Sequence, residues 1–117
     1  MIDETAQQLG RLLGQGEEYQ ALQRAREAIS SDKDLVDQLR QLDGLAAQLE
    51  QRVASGQEPS QEDADAYERL FSTVQATPAY QRLVAAQSNF DKVMLRAQEQ
   101  IMEGMRAGGQ SRIITLG

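Results

Sequence analysis

The sequence predicts an all-α protein. Three observations carry that assignment. Apolar residues recur at helical spacing along nearly the whole chain, and no segment alternates as a strand would before the last few residues. Glycine, serine and proline punctuate this pattern at four clear breaks, which divides it into five helices. Only two prolines occur in 117 residues, so little interrupts helix formation elsewhere.

The first helix is expected over Asp3–Leu13, with Ala6, Leu9 and Leu13 on one side and Asp3 as N-cap. Gly14-Gln15-Gly16 breaks it, because glycine loses much backbone freedom in a helix and turns readily. The second helix is expected over Glu17–Ile29. Its inner stripe is Tyr19, Leu22, Ala25, Arg26 and Ile29, and its opening acids suit the positive end of the helix dipole. Ser30-Ser31-Asp32 interrupts, with Ser31 and Asp34 arranged as a capping box.

The third helix, Asp34–Ala54, has the most regular pattern. Leu35, Leu39, Leu42, Ala46, Leu49 and Val53 alternate spacings of four and three, the seam of a helix packed nearly parallel or antiparallel to another. Gly56 ends it and Pro59 prevents continuation. Ser60 starts the fourth helix, with Asp63 three residues on, and Ala64, Tyr67, Leu70, Phe71 and Val74 form its stripe. Thr77-Pro78 restarts the chain, since proline fits the first helical position, where its missing N–H would be unpaired anyway.

The fifth helix is expected over Pro78–Ala107, with Tyr80, Leu83, Val84, Phe90, Met94, Ala97, Ile101 and Met105 on one side. The fold so predicted is a five-helix bundle or hairpin arrangement with a long C-terminal helix. Residues 1–107 form a single domain, and residues 108–117, opened by Gly108-Gly109, form a flexible tail. Arg112–Leu116 has strand propensity but no neighbouring segment to pair with. Docking of this tail on the domain or on a partner is the alternative to disorder.

Composition narrows the chemistry sharply. Histidine and cysteine are both absent. The commonest general base, transition-metal ligand and pH switch go with the first, and thiolate catalysis, disulfides and cysteine-held clusters with the second. The seven serines therefore have no histidine to activate them. A serine–lysine pair would need Lys33 or Lys92 desolvated beside a serine, and both lysines lie in polar stretches. Asp32-x-Asp34 lacks the glycine and distal glutamate of a calcium loop. Gly10, Gly14 and Gly16 form no phosphate-binding loop. The sequence thus offers no catalytic, cofactor-binding or metal-binding residues, and the expectation is a protein that is not an enzyme and carries no cofactor.

Net charge is −6 and uneven. Residues 1–68 carry 15 acids against 6 bases, and residues 69–117 carry 3 acids against 6 bases. The acidic part reads as a solvated surface favouring solubility, with steering toward a basic partner as the functional alternative. Glu58, Glu62, Asp63, Asp65 and Glu68 likewise read as a solvated helix start, or as a docking patch for a basic partner. Direct nucleic-acid binding is disfavoured, because phosphate contact needs a concentrated basic face. No apolar run reaches the ~18 residues of a membrane span, and the start is acidic and polar, so no signal peptide or membrane insertion is expected. The expected location is the cytoplasm.

The order of features resembles the YlbF/YmcA-like family of small bacterial helical regulators. The resemblance rests on Ala6-x-x-Leu9-Gly10, Glu18-Tyr19, Ala25 and Ile29, and Asp32 before the heptad helix. The turn at Gly56 with Ser60 after it, and Pro78-x-Tyr80-x-x-Leu83 with Ala86, complete it. It spans about residues 2–107. It implies an adaptor without catalytic residues that associates with itself and with related helical regulators. It also implies roles in competence, sporulation and biofilm formation, partly through a complex that influences RNA processing by a membrane-attached endoribonuclease. Some complexes in this family hold iron–sulfur clusters through cysteines. This chain has no cysteine to contribute.

The residues favour protein contact as the function, with a structural self-association module as the other reading. The candidate surface is Phe90, Met94, Ala97, Ile101 and Met105, at spacings of 4, 3, 4 and 4. A helix of roughly 30 residues is about 45 Å long, against a diameter of about 35 Å for a compact domain of this size. Its distal apolar face would then lie in water, where soluble monomers avoid contiguous patches. A second copy covers such a face by two-fold symmetry, giving a homodimer or higher assembly. The competing arrangement is the first helix folding back over it with Leu9 and Leu13. Met94, Met102 and Met105 crowd the same end, and flexible thioethers suit either an adaptable binding surface or ordinary core filling.

Overall fold

The computed structural model describes the backbone of residues 1–116 and the side chains of residues 1–110. Five helices follow one another: α1 (Ile2–Gln15), α2 (Glu17–Ser30), α3 (Lys33–Ala54), α4 (Gln61–Gln75) and α5 (Pro78–Leu116). No strand occurs among the described residues. The all-α prediction therefore holds, and α1, α2 and α3 match their expected bounds to within two residues at either end.

The helix ends show which residues do the capping. Asp3 is not the N-cap of α1: the helix begins at Ile2 without a side-chain cap, and Asp3 lies in the first turn, beside the exposed N–H groups. Gly14 and Gln15 remain helical, and Gly16 alone separates α1 from α2. A Cβ on Gly16 would lie 3.3 Å from both the Leu13 carbonyl and the Glu18 carboxylate, so this tight junction has no room for a larger residue without adjustment. Ser31 does not start α3. Its hydroxyl donates back to the Glu27 carbonyl at 2.8 Å and closes α2. Asp32 is the cap, accepting the Leu35 N–H at 3.1 Å.

α3 ends in a complete Schellman motif. The Gly56 N–H donates to Val53 at 3.1 Å and the Gln57 N–H to Arg52 at 2.9 Å. Gly56 adopts φ +78°, the left-handed conformation that costs a Cβ-bearing residue about 1–2 kcal/mol. Ser60 caps α4 by accepting the Asp63 N–H. The Thr77 carbonyl accepts the Gln81 N–H at 3.1 Å, as an N-cap carbonyl does, while its hydroxyl donates to Val74 at 2.7 Å and finishes α4. One residue thus ends one helix and starts the next.

α5 corrects the expected stop at Ala107. Gly108 and Gly109 are helical and the backbone continues as helix to Leu116. Glycine weakens a helix by about 1 kcal/mol but keeps its N–H, so unlike proline it does not force an end. The expected packing or freedom of the Ile113, Ile114 and Leu116 side chains lies outside the described residues.

The chain forms two compact units, residues 23–85 and residues 1–22 with 86–117. In the first, α3 and α4 make an antiparallel hairpin across the 55–60 turn. Ile29, Leu35, Leu42 and Val74 form its core. Leu39, Tyr67, Leu70, Phe71, Ala79, Tyr80 and Leu83 pack around them. Leu35 and Val74 are almost wholly sealed from solvent, and each such side chain contributes about 1.5–3 kcal/mol through burial. No buried polar or charged residue interrupts this interior.

The second unit comprises α1, the Glu17–Leu22 start of α2 and the part of α5 from Ala86 onward. Leu22 and Ala86 are its buried residues. The rings of Tyr19 and Phe90 meet there in a tilted contact. Arg26, expected on the inner stripe of α2, is exposed, because it lies one residue beyond Ala25 and at the edge of the stripe.

Candidate functional site

The apolar residues of α1 and distal α5 make a partly covered surface. Phe90, Met94 and Ala97 are half-buried, whereas Ile101 and Met105 are exposed. Burial along this stripe therefore falls toward its distal end. α1 runs near enough to share a groove with Ile101: Met1, Ile2, Thr5, Ala6 and Leu9 line it together with that residue, around a volume of about 480 Å³. The lining is almost entirely apolar. α1 itself buries none of its residues, although its own Leu9 and Leu13 are half-covered.

Cover of this stripe by α1 is incomplete. α1 folds back beside α5, but it leaves Ile101 half exposed and Met105 two-thirds exposed. Leu12, Leu95 and Met102 add further exposed apolar area in the same unit. Arg106 pairs with Glu103 at 3.1 Å, both side chains being exposed. An exposed pair of this kind contributes at most about 1 kcal/mol. What this surface offers chemically is hydrophobic contact, the main driving force of protein association.

Sequence reasoning identifies the α5 side of the groove and misses Met1, Ile2 and Thr5 on the α1 side. A signal exists: Ile2, Ala6, Leu9 and Leu13 repeat at spacings of 4, 3 and 4, matching the α5 stripe. Ending the stripe at Ala6 hides the two apolar residues at the chain start.

The other candidates are placed as follows. The hydroxyls of Ser30, Ser31 and Ser55 donate to carbonyls three or four residues back in their own helices. In the acidic run, Asp63 gives its N–H to the Ser60 cap, and the Asp65 carboxylate accepts from the Gln61 amide at 3.0 Å. Of that run, Glu62 and Asp63 lie in the first turn of α4, Glu58 precedes the helix, and Asp65 and Glu68 follow further along it. A polar recess of about 300 Å³ lies between Gln48, Gln51, Arg52, Ser55, Gln57 and Asp63, at the α3–α4 turn. No group of three or more acidic side chains that could hold a metal ion occurs among the described residues. No helix among them is long and apolar enough to cross a membrane.

These features define a small all-helical protein with helix faces open to further contact. The chain belongs to the family described as control of competence regulator ComK, YlbF/YmcA, whose model matches residues 2–106. A UPF0342 protein of Limosilactobacillus reuteri (strain DSM 20016) is 28% identical over 93 residues, covering 80% of this chain and 76% of the relative. The UPF0342 protein of Limosilactobacillus reuteri subsp. reuteri (strain JCM 1112) matches to the same extent. A solved structure, a protein of unknown function (DUF964) from Bacillus stearothermophilus, superposes with a TM-score of 0.65. It shares 17% identity, covering 90% of this chain and 92% of that one, and so supports the fold. The resemblance read from the helix punctuation is thus a true family relationship.

Proposed function

We propose that this protein is a non-enzymatic regulator that works as an adaptor, holding other proteins through the apolar faces of α1 and α5. The observation that carries this reading is the open groove between Ile2, Ala6, Leu9 and Ile101, continued by exposed Met102 and Met105. Apolar area of this kind is favourable only when a partner removes it from water. The family description, control of competence regulator ComK, supports a regulatory role. The wider family roles in sporulation, biofilm formation and RNA processing fit an adaptor that joins larger assemblies.

The partners proposed are a second copy of the chain, related helical regulators and, through them, an RNA-processing endoribonuclease complex. Self-association alone, as a structural module, is the second reading, and the same surface favours it. Two measurements on one pair of proteins separate these readings. Wild type and Ile101→Asp are compared by sedimentation and by affinity capture from the native cell. Burying an unpaired carboxylate costs several kcal/mol, so the variant should sediment as a folded monomer if copies meet here. Capture of a defined stoichiometric partner by wild type and not by the variant supports the adaptor reading. A wild-type monomer at micromolar concentration would overturn self-association. Equal capture of partners by both proteins would overturn the assignment of this face.

A further inference from the structure

We draw no further inference here: the strongest candidate, the apolar groove between α1 and the distal part of α5, belongs to the contact surface already proposed, and nothing in the structure shows which partner covers it.

Discussion

The Tyr19 and Phe90 rings sit with centroids 5.5 Å apart and planes tilted by 54°, tying the start of α2 to α5. That geometry lets the electron-poor edge of one ring approach the face of the other, which contributes about 0.5–1.5 kcal/mol beyond simple burial. Phe90 is half-buried, so Phe90→Ala should cost about 2 kcal/mol, less than the 3–5 kcal/mol of a fully buried phenylalanine. A double-mutant cycle with Tyr19→Ala, followed by urea unfolding, should return a coupling of about 1 kcal/mol. Additive losses would show that the rings touch without specific interaction.

Gly56 should be the glycine least tolerant of substitution. Its φ of +78° is strained for any Cβ-bearing residue, although a Cβ there would meet no other atom. Gly56→Ala should therefore lower stability by about 1–2 kcal/mol through backbone strain alone. Gly56→Asn should lose less, since asparagine tolerates the left-handed region better. Chemical denaturation of the two variants beside wild type provides the comparison. Equal losses would point to a cause other than conformation.

Asp32 and Ser31 are neighbours with opposite duties, one opening α3 and the other closing α2. Removing the Asp32 carboxylate by Asp32→Ala leaves the Leu35 N–H without its acceptor and should cost about 1 kcal/mol. Ser31→Ala removes an exposed hydroxyl donor and should cost a few tenths of that. Thermal unfolding can resolve the two, at about 4 °C per kcal/mol for a protein of this size. The opposite ranking would restore Ser31 as the cap.

Most of the helical framework is legible in the sequence because spacing fixes which side of a helix is apolar. Leu35 and Leu42 are buried and Leu39, Ala46 and Leu49 half-buried, as the heptad seam of α3 requires. Spacing does not reveal how far the partner helix reaches, and Val53, at the end of the same seam, is largely exposed. In α5, side-chain size misleads in the opposite sense. Val84, expected on its inner stripe, is exposed, whereas little Ala86 is buried. Leu83, Ala86, Phe90 and Met94 follow spacings of 3, 4 and 4, but a methyl group adds little to an apolar pattern. The groove is half legible for a related reason: one helix can announce an apolar face, but the depth of its cover depends on a segment far away along the chain.

The far end of α5 provides a stability test. Truncation after Ala107 should leave the melting temperature nearly unchanged, because residues 108–110 are exposed and lie beyond the groove at Ile101. Gly108→Ala with Gly109→Ala should raise the helix content seen by circular dichroism, at about 1 kcal/mol of helix propensity per site. A methyl group on either glycine would point into open space, so the substitutions introduce no clash. A drop of several degrees on truncation would mean that the terminal residues pack on the domain.

A single residue, Gly16, separates α1 from α2, and little burial holds α1 in place. With no buried side chain of its own, α1 is held by half-covered Leu9 and Leu13 and by polar bonds at its end, such as the 2.8 Å bond from the Gln20 amide to the Gly14 carbonyl. Its departure exposes far less apolar area than unfolding of the α3–α4 hairpin with its sealed Leu35 and Val74. Two clocks are therefore expected in one chain: hydrogen exchange should find the amide protons of α1 escaping through local opening well before those of α3, which need the core to break.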